Sequence, residues 1–195
     1  RVIANITMIN QLGATFPAFT NIFLKNKAFS RMASTVLGFS PDRSLPTLSG
    51  RSFKKTAKKE ILRINPGQDN AIGSLCLYID EFTEFNDGDI GMKTIKLLTS
   101  LGYQITLPKH DLSARTYISK GLLKQAKKII DKNVALLYPE VSEAAPLVGI
   151  EPSAILGFKD EYPDLVSKEM KDKALHLADN SYTIEEFIEK EIKLG

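Results

Sequence analysis

The chain has a single cysteine, no tryptophan and no long apolar run. Its 195 residues include one Cys, no Trp, 12 Gly and 9 Pro. Because a lone thiol cannot close a disulfide within the chain, a disulfide-stapled secreted protein is excluded and a reducing compartment is favoured. No run of about 18 apolar residues occurs, so the sequence predicts no membrane span. The chain begins at Arg1 without an initiator Met or a signal-peptide pattern, and we expect a piece of a longer protein.

The charge is distributed unevenly. Residues 1–63 hold 11 Lys or Arg and two acids, whereas the remaining residues hold 15 basic and 21 acidic side chains. A basic segment can bind nucleic acid, or it can lie on an acidic surface of the same protein. The Lys-rich run from Phe53 to Lys59 has one aromatic residue at its edge and none interleaved with the bases. This pattern favours a basic helix face or tether, and no nucleic-acid partner is expected.

The first 70 residues predict a basic helical arm followed by a linker. Apolar residues recur at the three- and four-residue spacing of a buried helix face. They are Ile3, Ile6, Ile9, Leu12, Phe16, Phe19, Ile22, Phe23, Phe29, Met32, Ala33 and Val36. The following stretch, Gly38 to Asn70, contains Pro41, Pro46 and Pro66, and its composition indicates an extended linker.

Residues 71–195 predict an α/β domain. Short apolar β-forming runs at Leu75–Ile79, Tyr103–Leu107 and Pro146–Ile150 alternate with amphipathic helices at Asp89–Leu101 and Leu122–Leu137. This alternation indicates a short parallel sheet flanked by helices, in a flavodoxin- or Rossmann-like three-layer arrangement. In the tail, Thr183 and Glu186 have the spacing of a capping box at the start of a last helix.

The loops that follow the predicted strands should meet at one edge of the sheet, where open α/β folds bind ligands. These loops are Asp80–Gly88, Pro108–Ser119 and Glu151–Ala154. The first loop is acidic and suits either a divalent cation or, as the commoner case, a solvated surface. Its acids are Asp80, Glu81, Glu84, Asp87 and Asp89.

The familiar catalytic motifs are absent or incomplete. Gly88–Thr94 lacks the spacing of a phosphate-binding loop, because Met92 separates Gly91 from Lys93. His110 lies beside Asp111 and near Ser113, but the members of a catalytic triad converge from separate segments, so a loop imidazole is favoured. His176 is expected to be a surface or boundary residue on an amphipathic helix, and Cys76 is expected to be a small buried side chain.

An ordered set of short motifs resembles a known family. The motifs include Asp80-Glu81-Phe82-Thr83, Ile118-Ser119-Lys120-Gly121 and Val148-Gly149-Ile150-Glu151-Pro152-Ser153. From about Arg1 to Leu165 the chain resembles the C-terminal iron–sulfur oxidoreductase region of FAD-linked 2-hydroxy-acid dehydrogenases. That region is of the cysteine-rich (CCG) type, also found in glycolate oxidase iron–sulfur subunits. The resemblance implies a parent chain with FAD, iron–sulfur clusters, ferredoxin-like domains and a second cysteine-rich half.

The chain departs from this family at the cluster cysteines. Where the family has Cys-Cys-Gly before an Arg, the chain has Leu112, Ser113 and Ala114 before Arg115, and Ala154 follows Ser153 where the family has Cys. A further family cysteine falls at about Glu81. Because Leu and Ala side chains cannot replace thiolates, the resemblance implies a scaffold that has kept its fold without a cluster or other cofactor of its own.

Without the cluster cysteines, the resemblance implies a cleft with polar residues at its rim. The candidate cleft residues are Ser113, Arg115, Ser119, Lys120, Glu151 and Ser153. Arg115 and Lys120 can bind an anionic group such as a small carboxylate, or Arg115 can pair with Glu151 and tie two loops together, which is the favoured alternative.

Three functions are therefore open. The favoured one is a cofactor-free interdomain module of a cytoplasmic FAD-linked oxidoreductase, able to lie at the inner membrane through its parent. The second is a flavodoxin-like module that binds a small anion or nucleotide, and the third is a nucleic-acid binder that uses the basic arm.

Overall fold

The fold is described from a computed structural model over residues 12–37, 40, 47–49, 52–67 and 70–194. The helix expected around Ile3, Ile6 and Ile9 lies outside these ranges, as do Pro41 and Pro46 of the expected linker.

Four parallel strands form one sheet in the order β2-β1-β3-β4. The strands are β1 Gly73–Tyr78, β2 Tyr103–Thr106, β3 Leu147–Gly149 and β4 Ser181–Thr183. Cys76 of β1 pairs with Leu147 of β3, which in turn pairs with Ser181 of β4. The three predicted strands are thus confirmed to within two residues at each end, and the parallel sheet is confirmed.

The fourth strand is not apparent in the sequence. Its inward residues, Ser181 and Thr183, are polar, so the segment lacks the apolar run that marks the other strands. Ser181 is buried because its hydroxyl donates a hydrogen bond of 2.6 Å to the carbonyl of Leu177 one turn earlier.

Helices cover both faces of the sheet and form a three-layer α/β fold. They are α1 Pro17–Lys25, α2 Lys27–Leu37, α3 Phe53–Ile64, α4 Glu81–Phe85, α5 Gly88–Ser100, α6 Arg115–Ile118, α7 Leu123–Leu137, α8 Pro152–Ile155, α9 Glu161–Leu165, α10 Lys171–Asp179 and α11 Ile184–Leu194. Short 3₁₀ turns occupy Leu156–Phe158 and Lys168–Met170.

The alternation of side chains along β1 divides the core in two. Leu75 and Leu77 pack on one face with residues of α3, α5 and α11. Cys76 and Tyr78 pack on the other face with residues of α7 to α10. Because successive residues of a strand point to opposite faces, one short apolar run supplies both halves of the core.

Residues 53–64 of the expected linker form helix α3, which agrees with the helix alternative for Phe53–Lys59 and not with an extended linker. Phe53, Ala57 and Ile61 recur every four residues and are buried against the sheet and α5. The four lysines between them mask this face in the composition, although its spacing is helical. Helix α3 therefore packs with the α/β body, whereas the division of the chain into two domains stays a prediction.

Helices α1 and α2 join the body through a short segment around Leu48. The side chain of Asn21 in α1 bonds both the N–H and the carbonyl of Leu48, each at 2.8 Å. Ser49 then donates its N–H to the carbonyl of Phe85 at 2.6 Å. These bonds anchor the helical hairpin beside the loop that follows β1.

The predicted capping box at the last helix is confirmed. Thr183 donates its N–H to a carboxylate oxygen of Glu186 at 3.0 Å, and the Thr183 hydroxyl accepts from the Glu186 N–H at 3.2 Å. Two otherwise unpaired N–H groups are satisfied at the start of α11.

Candidate functional site

The strand order creates a crevice at the carboxyl edge of the sheet. From β1 the chain crosses to β2 on one side, and from β2 it returns across β1 to β3 on the other. In open α/β sheets, ligands bind where the crossover direction reverses. The loops after β1, β2 and β3 lie together here, because Ser113 bonds Glu81 and Arg115 pairs with Glu151.

The acidic loop after β1 is largely buried, so the expected solvated surface is wrong for three of its acids. Asp80, Glu81 and Glu84 are 1%, 5% and 9% exposed. Asp80 caps α4 by accepting from the N–H groups of Phe82 at 2.7 Å and Thr83 at 3.1 Å. Burial of a carboxylate is tolerated only with such donors, and each of the three has its own set.

Glu81 and Glu84 each reach a different segment. Glu81 accepts from both the N–H and the hydroxyl of Ser113, at 3.0 and 2.8 Å. Glu84 accepts from the Ser52 hydroxyl at 2.6 Å and from the Lys54 N–H at 2.8 Å, which caps the first turn of α3. Charge-assisted bonds of this kind fix the loops after β1 and β2 and the start of α3 in one arrangement.

Ala114 has a backbone conformation typical of glycine. Its φ is +64°, and its side chain is fully buried. An alanine in this left-handed region costs about 1–2 kcal/mol relative to ordinary helix geometry. The family that the chain resembles has glycine at this position, so the backbone geometry agrees with the resemblance even though the side chain has changed.

The residues at the family's cluster positions do not fit an iron–sulfur cluster. Leu112 and Ala154 offer no ligand atom, and the Ser113 hydroxyl is engaged with Glu81, near which the resemblance expects a further cysteine. Cys76 lies within β1, where its thiol contacts the Glu140 carbonyl and the Thr106 hydroxyl. Over the described ranges, no group of three or more His, Cys, Asp or Glu residues is placed to hold a metal ion.

The remaining candidate cleft residues bond mainly to one another. Arg115 lies 3.4 Å from a carboxylate oxygen of Glu151, which also accepts from the Ser153 hydroxyl. Ser119 donates to the carbonyl of Thr116 at 3.2 Å, and Lys120 is exposed. The Arg115–Glu151 ion pair links the loops after β2 and β3, whereas the role of these residues, including the binding of an anion, stays a prediction.

Two pockets open beside this network. One, of about 180 Å³, is lined by Lys54, Ile79, Asp80, Glu81, Glu84, Phe85, His110, Asp111 and Leu112. The other, of about 220 Å³, is lined by Lys54, Lys58, Leu77, Ile79, Leu107, Pro108, Lys109 and His110. Both lie at the carboxyl ends of β1 and β2 and so occupy the predicted edge. Their walls include the acidic loop and His110, which the sequence analysis considered, whereas none of the six candidate cleft residues lines either pocket.

His110 separates the two pockets and is held neutral. Burial and then the charge of Lys54 lower the pKa of His110 to about 4. Its Nδ1 lies 2.6 Å from the Asp111 carbonyl, and its ring lies 4.3 Å from that of Tyr78. The Ser113 hydroxyl donates to Glu81 and not to His110, so Ser113 and His110 do not form the serine–histidine pair of a catalytic triad.

Lys54 carries the other unusual charge of the site. Burial lowers the pKa of Lys54, and nearby carboxylates, Glu84 foremost, oppose this shift. The sequence hides this residue because it falls in the expected linker. The four-residue spacing of Phe53, Ala57 and Ile61 is the signal that would have placed Lys54 on an ordered helix.

The second histidine, His176, and the single cysteine, Cys76, have structural roles. His176 lies half-buried in the last turn of α10, where its Nε2 is 2.8 Å from the Val141 carbonyl. Cys76 is 2% exposed, as predicted for a small buried side chain. No described helix has the length and apolarity needed to cross a membrane.

Three curated proteins show low but extended similarity to the chain, and all are D-2-hydroxyglutarate dehydrogenases. The protein from Pantoea ananatis is 25% identical over 173 residues, covering 86% of the chain and 17% of the relative. The Haemophilus influenzae protein is 23% identical, covering 88% of the chain and 17% of its own length. The Escherichia coli protein is 22% identical, covering 83% and 16%.

The chain thus spans about one sixth of the length of the curated relatives that it matches. No protein-family model matches the chain, and no solved structure matches it. The similarity agrees with the resemblance to 2-hydroxy-acid dehydrogenases, whereas the iron–sulfur character of the matching region stays a prediction.

Proposed function

We propose that the chain is a cofactor-free structural module of an FAD-linked 2-hydroxy-acid dehydrogenase. It would fold as an independent α/β unit and hold the flavin domain, the ferredoxin-like domains and the second cysteine-rich half in place. The similarity to D-2-hydroxyglutarate dehydrogenases, together with the small share of their length that the chain covers, supports this role.

The observation that carries the interdomain role is an exposed aromatic face on α1 and α2. Rings of Phe19, Phe23 and Phe29 stack edge to face, with centroids 4.9 and 5.4 Å apart. Six large apolar side chains of this face are between 38% and 72% exposed. They are Phe16, Phe19, Ile22, Phe23, Phe29 and Met32. Neighbouring exposed apolar side chains in this number are typical of a contact with another protein surface.

The occupant that we propose for this face is the remainder of a dehydrogenase chain. The matched relatives are about six times longer than the aligned segment, so most of their surface lies outside the region that the chain resembles. An interface between domains of one enzyme would bury the aromatic face permanently and keep its apolar side chains out of water.

The carboxyl edge of the sheet supports the cofactor-free part of the proposal. Glu81 and Ser113 satisfy each other at two of the positions where cluster ligands are expected, and Leu112 and Ala154 fill two more with apolar atoms. Electron transfer would then take place in other parts of the enzyme. The buried single thiol suits the cytoplasm, and the enzyme would reach the inner membrane surface only through its other domains.

Co-purification tests the interdomain role. The chain would be co-expressed with the flavin-binding remainder of the dehydrogenase from the same organism, and the fraction that is retained would be measured. We expect stoichiometric retention, with at least about tenfold less for Phe19→Asp and Phe29→Asp, because exposed aromatic anchors dominate such contacts. Thr35→Asp, an exposed polar position on α2, is the matched control and should bind normally.

Absence of retention for the wild-type chain would contradict the proposal. Equal retention of all three variants would show that the aromatic face is not the contact. Far-ultraviolet circular dichroism distinguishes either result from misfolding, since it reports whether each variant keeps its secondary structure. Substitutions at exposed positions rarely alter stability by more than about 0.5 kcal/mol, so the variants should fold.

A further inference from the structure

The pocket between α3 and the loop after β2 has a composition unlike the rest of the carboxyl edge. Three lysines line it, Lys54 and Lys58 from one face of α3 and Lys109 from the loop. Its other walls are Leu77, Ile79, Leu107 and Pro108, which are apolar, and the imidazole of His110. No carboxylate lines this pocket, whereas the adjoining pocket has four.

The ammonium groups of these lysines have no partner within the described residues. Six ion pairs join side chains in those ranges, and none involves Lys54, Lys58 or Lys109. Within the described residues the side chain of Lys54 has no hydrogen-bond partner, and its backbone N–H donates to Glu84. Lys58 and Lys109 are exposed, whereas Lys54 is partly buried, so a bound anion would offset the cost of the unpaired Lys54 ammonium.

The neighbouring acids do not neutralise the lysines at short range. Those that influence Lys54 are Glu84, Glu81, Asp111 and Asp80. Each is already bonded to other donors: Glu84 to Ser52, Glu81 to Ser113, Asp80 to the start of α4, and Asp111 to Lys132 at 2.7 Å. Their remaining effect on the pocket is a longer-range attraction to Lys54, which leaves its ammonium protons free to bond.

The pocket chemistry selects among anions. A phosphate is usually held by backbone N–H groups at a helix start or by the fork of an arginine. The first turn of α3 is already capped by Glu84, and no arginine lines the pocket. Apolar walls beside ammonium groups suit a carboxylate with an apolar body, because the carboxylate can contact the ammonium groups while the apolar body packs against the walls.

We propose that the pocket lined by Lys54, Lys58, Lys109 and His110 binds a small organic carboxylate with a short aliphatic or aromatic body. The carboxylate lies against the ammonium of Lys54, and its apolar body lies on Ile79 and Leu107. Because burial lowers the pKa of His110 to about 4, its imidazole is neutral at pH 7 and adds no charge to the pocket. Its Nδ1–H is donated to the Asp111 carbonyl, so the ring forms a wall of the pocket and its Nε2 can only accept a hydrogen bond. This site goes beyond the structural role proposed above and does not depend on it.

Calorimetric titration of the whole chain with benzoate tests the proposal, with amide chemical shifts to locate the binding. We expect saturable binding with a Kd of about 1 mM at low salt, as for a ligand of this size. The neutral benzamide and inorganic phosphate should each bind at least about tenfold more weakly. Chemical-shift changes should be concentrated at residues 54–58 and 107–110.

Lysine variants identify the contact. Lys54→Met and Lys109→Met each remove one charge with little change in side-chain volume, and we expect each to weaken benzoate binding by about tenfold. Lys55→Met is the matched control, since it removes the same charge from an exposed position on α3 and should change the affinity by less than about twofold. The loop variant Lys109→Met serves as the second test if Lys54→Met does not fold.

Three outcomes would overturn the proposal. The first is a benzoate titration that does not saturate. The second is phosphate binding as tight as that of benzoate, and the third is a loss of binding in Lys55→Met equal to that in Lys54→Met. The last two results would show only the general attraction of a basic helix for anions.

Discussion

Gly149 at the end of β3 provides the sharpest structural test of the fold. A Cβ built on Gly149 would lie 2.5 Å from the Cβ of Ile155, 2.8 Å from its Cγ1 and 3.1 Å from its Cδ1. Ile155 is fully buried in α8, so it has no space into which to move. Gly149→Ala should therefore force the first turn of α8 away from the sheet.

The expected cost follows from the size of the overlap. Overpacking of a dense core by one methyl group costs about 1–3 kcal/mol. For a chain of this length, each kcal/mol lowers Tm by about 2–4 °C, so Gly149→Ala should lower Tm by about 2–12 °C. Thermal unfolding followed by circular dichroism measures this shift directly.

A second glycine supplies the control. At Gly67 an added Cβ would meet only the Asn70 side chain, at 3.9 Å, so Gly67→Ala should change stability by no more than about 0.5 kcal/mol. Adding Ile155→Ala to Gly149→Ala should not restore Tm, since the nearest clashing atom is the Cβ that alanine keeps. Equal Tm values for Gly149→Ala and Gly67→Ala would refute the placement of α8 against β3.

Three further predictions concern the loops. Asp80→Ala should lose about 1–2 kcal/mol in urea unfolding and Asp80→Asn clearly less, because the amide oxygen can still cap α4; equal losses would rule out the cap. The pKa of His110 is lowered to about 4 in the fold, below an unfolded value of about 6.5, so its contribution to stability is complete above pH 6.5 and is lost as the pH falls toward 4. His110→Gln should remove about 2–3 kcal/mol of that pH dependence, and an unchanged slope would contradict the burial of the imidazole. Arg115→Ala should lower the free energy of unfolding by less than about 1 kcal/mol, because both partners of its 3.4 Å ion pair are substantially exposed, and a larger loss would indicate a role beyond tying two loops.

The sheet could be predicted from the sequence because its central strands are short apolar runs of β-forming residues. Leu75 to Tyr78 is buried on both faces, so the signal lies in the composition of the segment itself. The long helix at Leu123–Leu137 could also be predicted, because its apolar residues recur on one face. Strand β4 escaped prediction because its inward positions are Ser181 and Thr183, which are buried through hydrogen bonds that local composition does not reveal.

The candidate site was harder to predict because its key contacts join distant segments. Glu81 meets Ser113 across 32 positions, and Glu84 meets Ser52 across the same separation. Local sequence shows an acidic loop and cannot show that its donors come from α3 and from the loop after β2. The pairing of Arg115 with Glu151 was among the alternatives because the loops after successive parallel strands share one edge.

The iron and flavin content of the anaerobically purified chain, measured with its absorption spectrum beside that of a complete dehydrogenase from the same organism, tests the proposed role most directly. We predict a colourless chain with no stoichiometric iron or flavin, and flavin and cluster bands in the complete enzyme. Stoichiometric iron in the chain would contradict the cofactor-free role and would require ligands other than those that Leu112, Ser113 and Ala154 can offer.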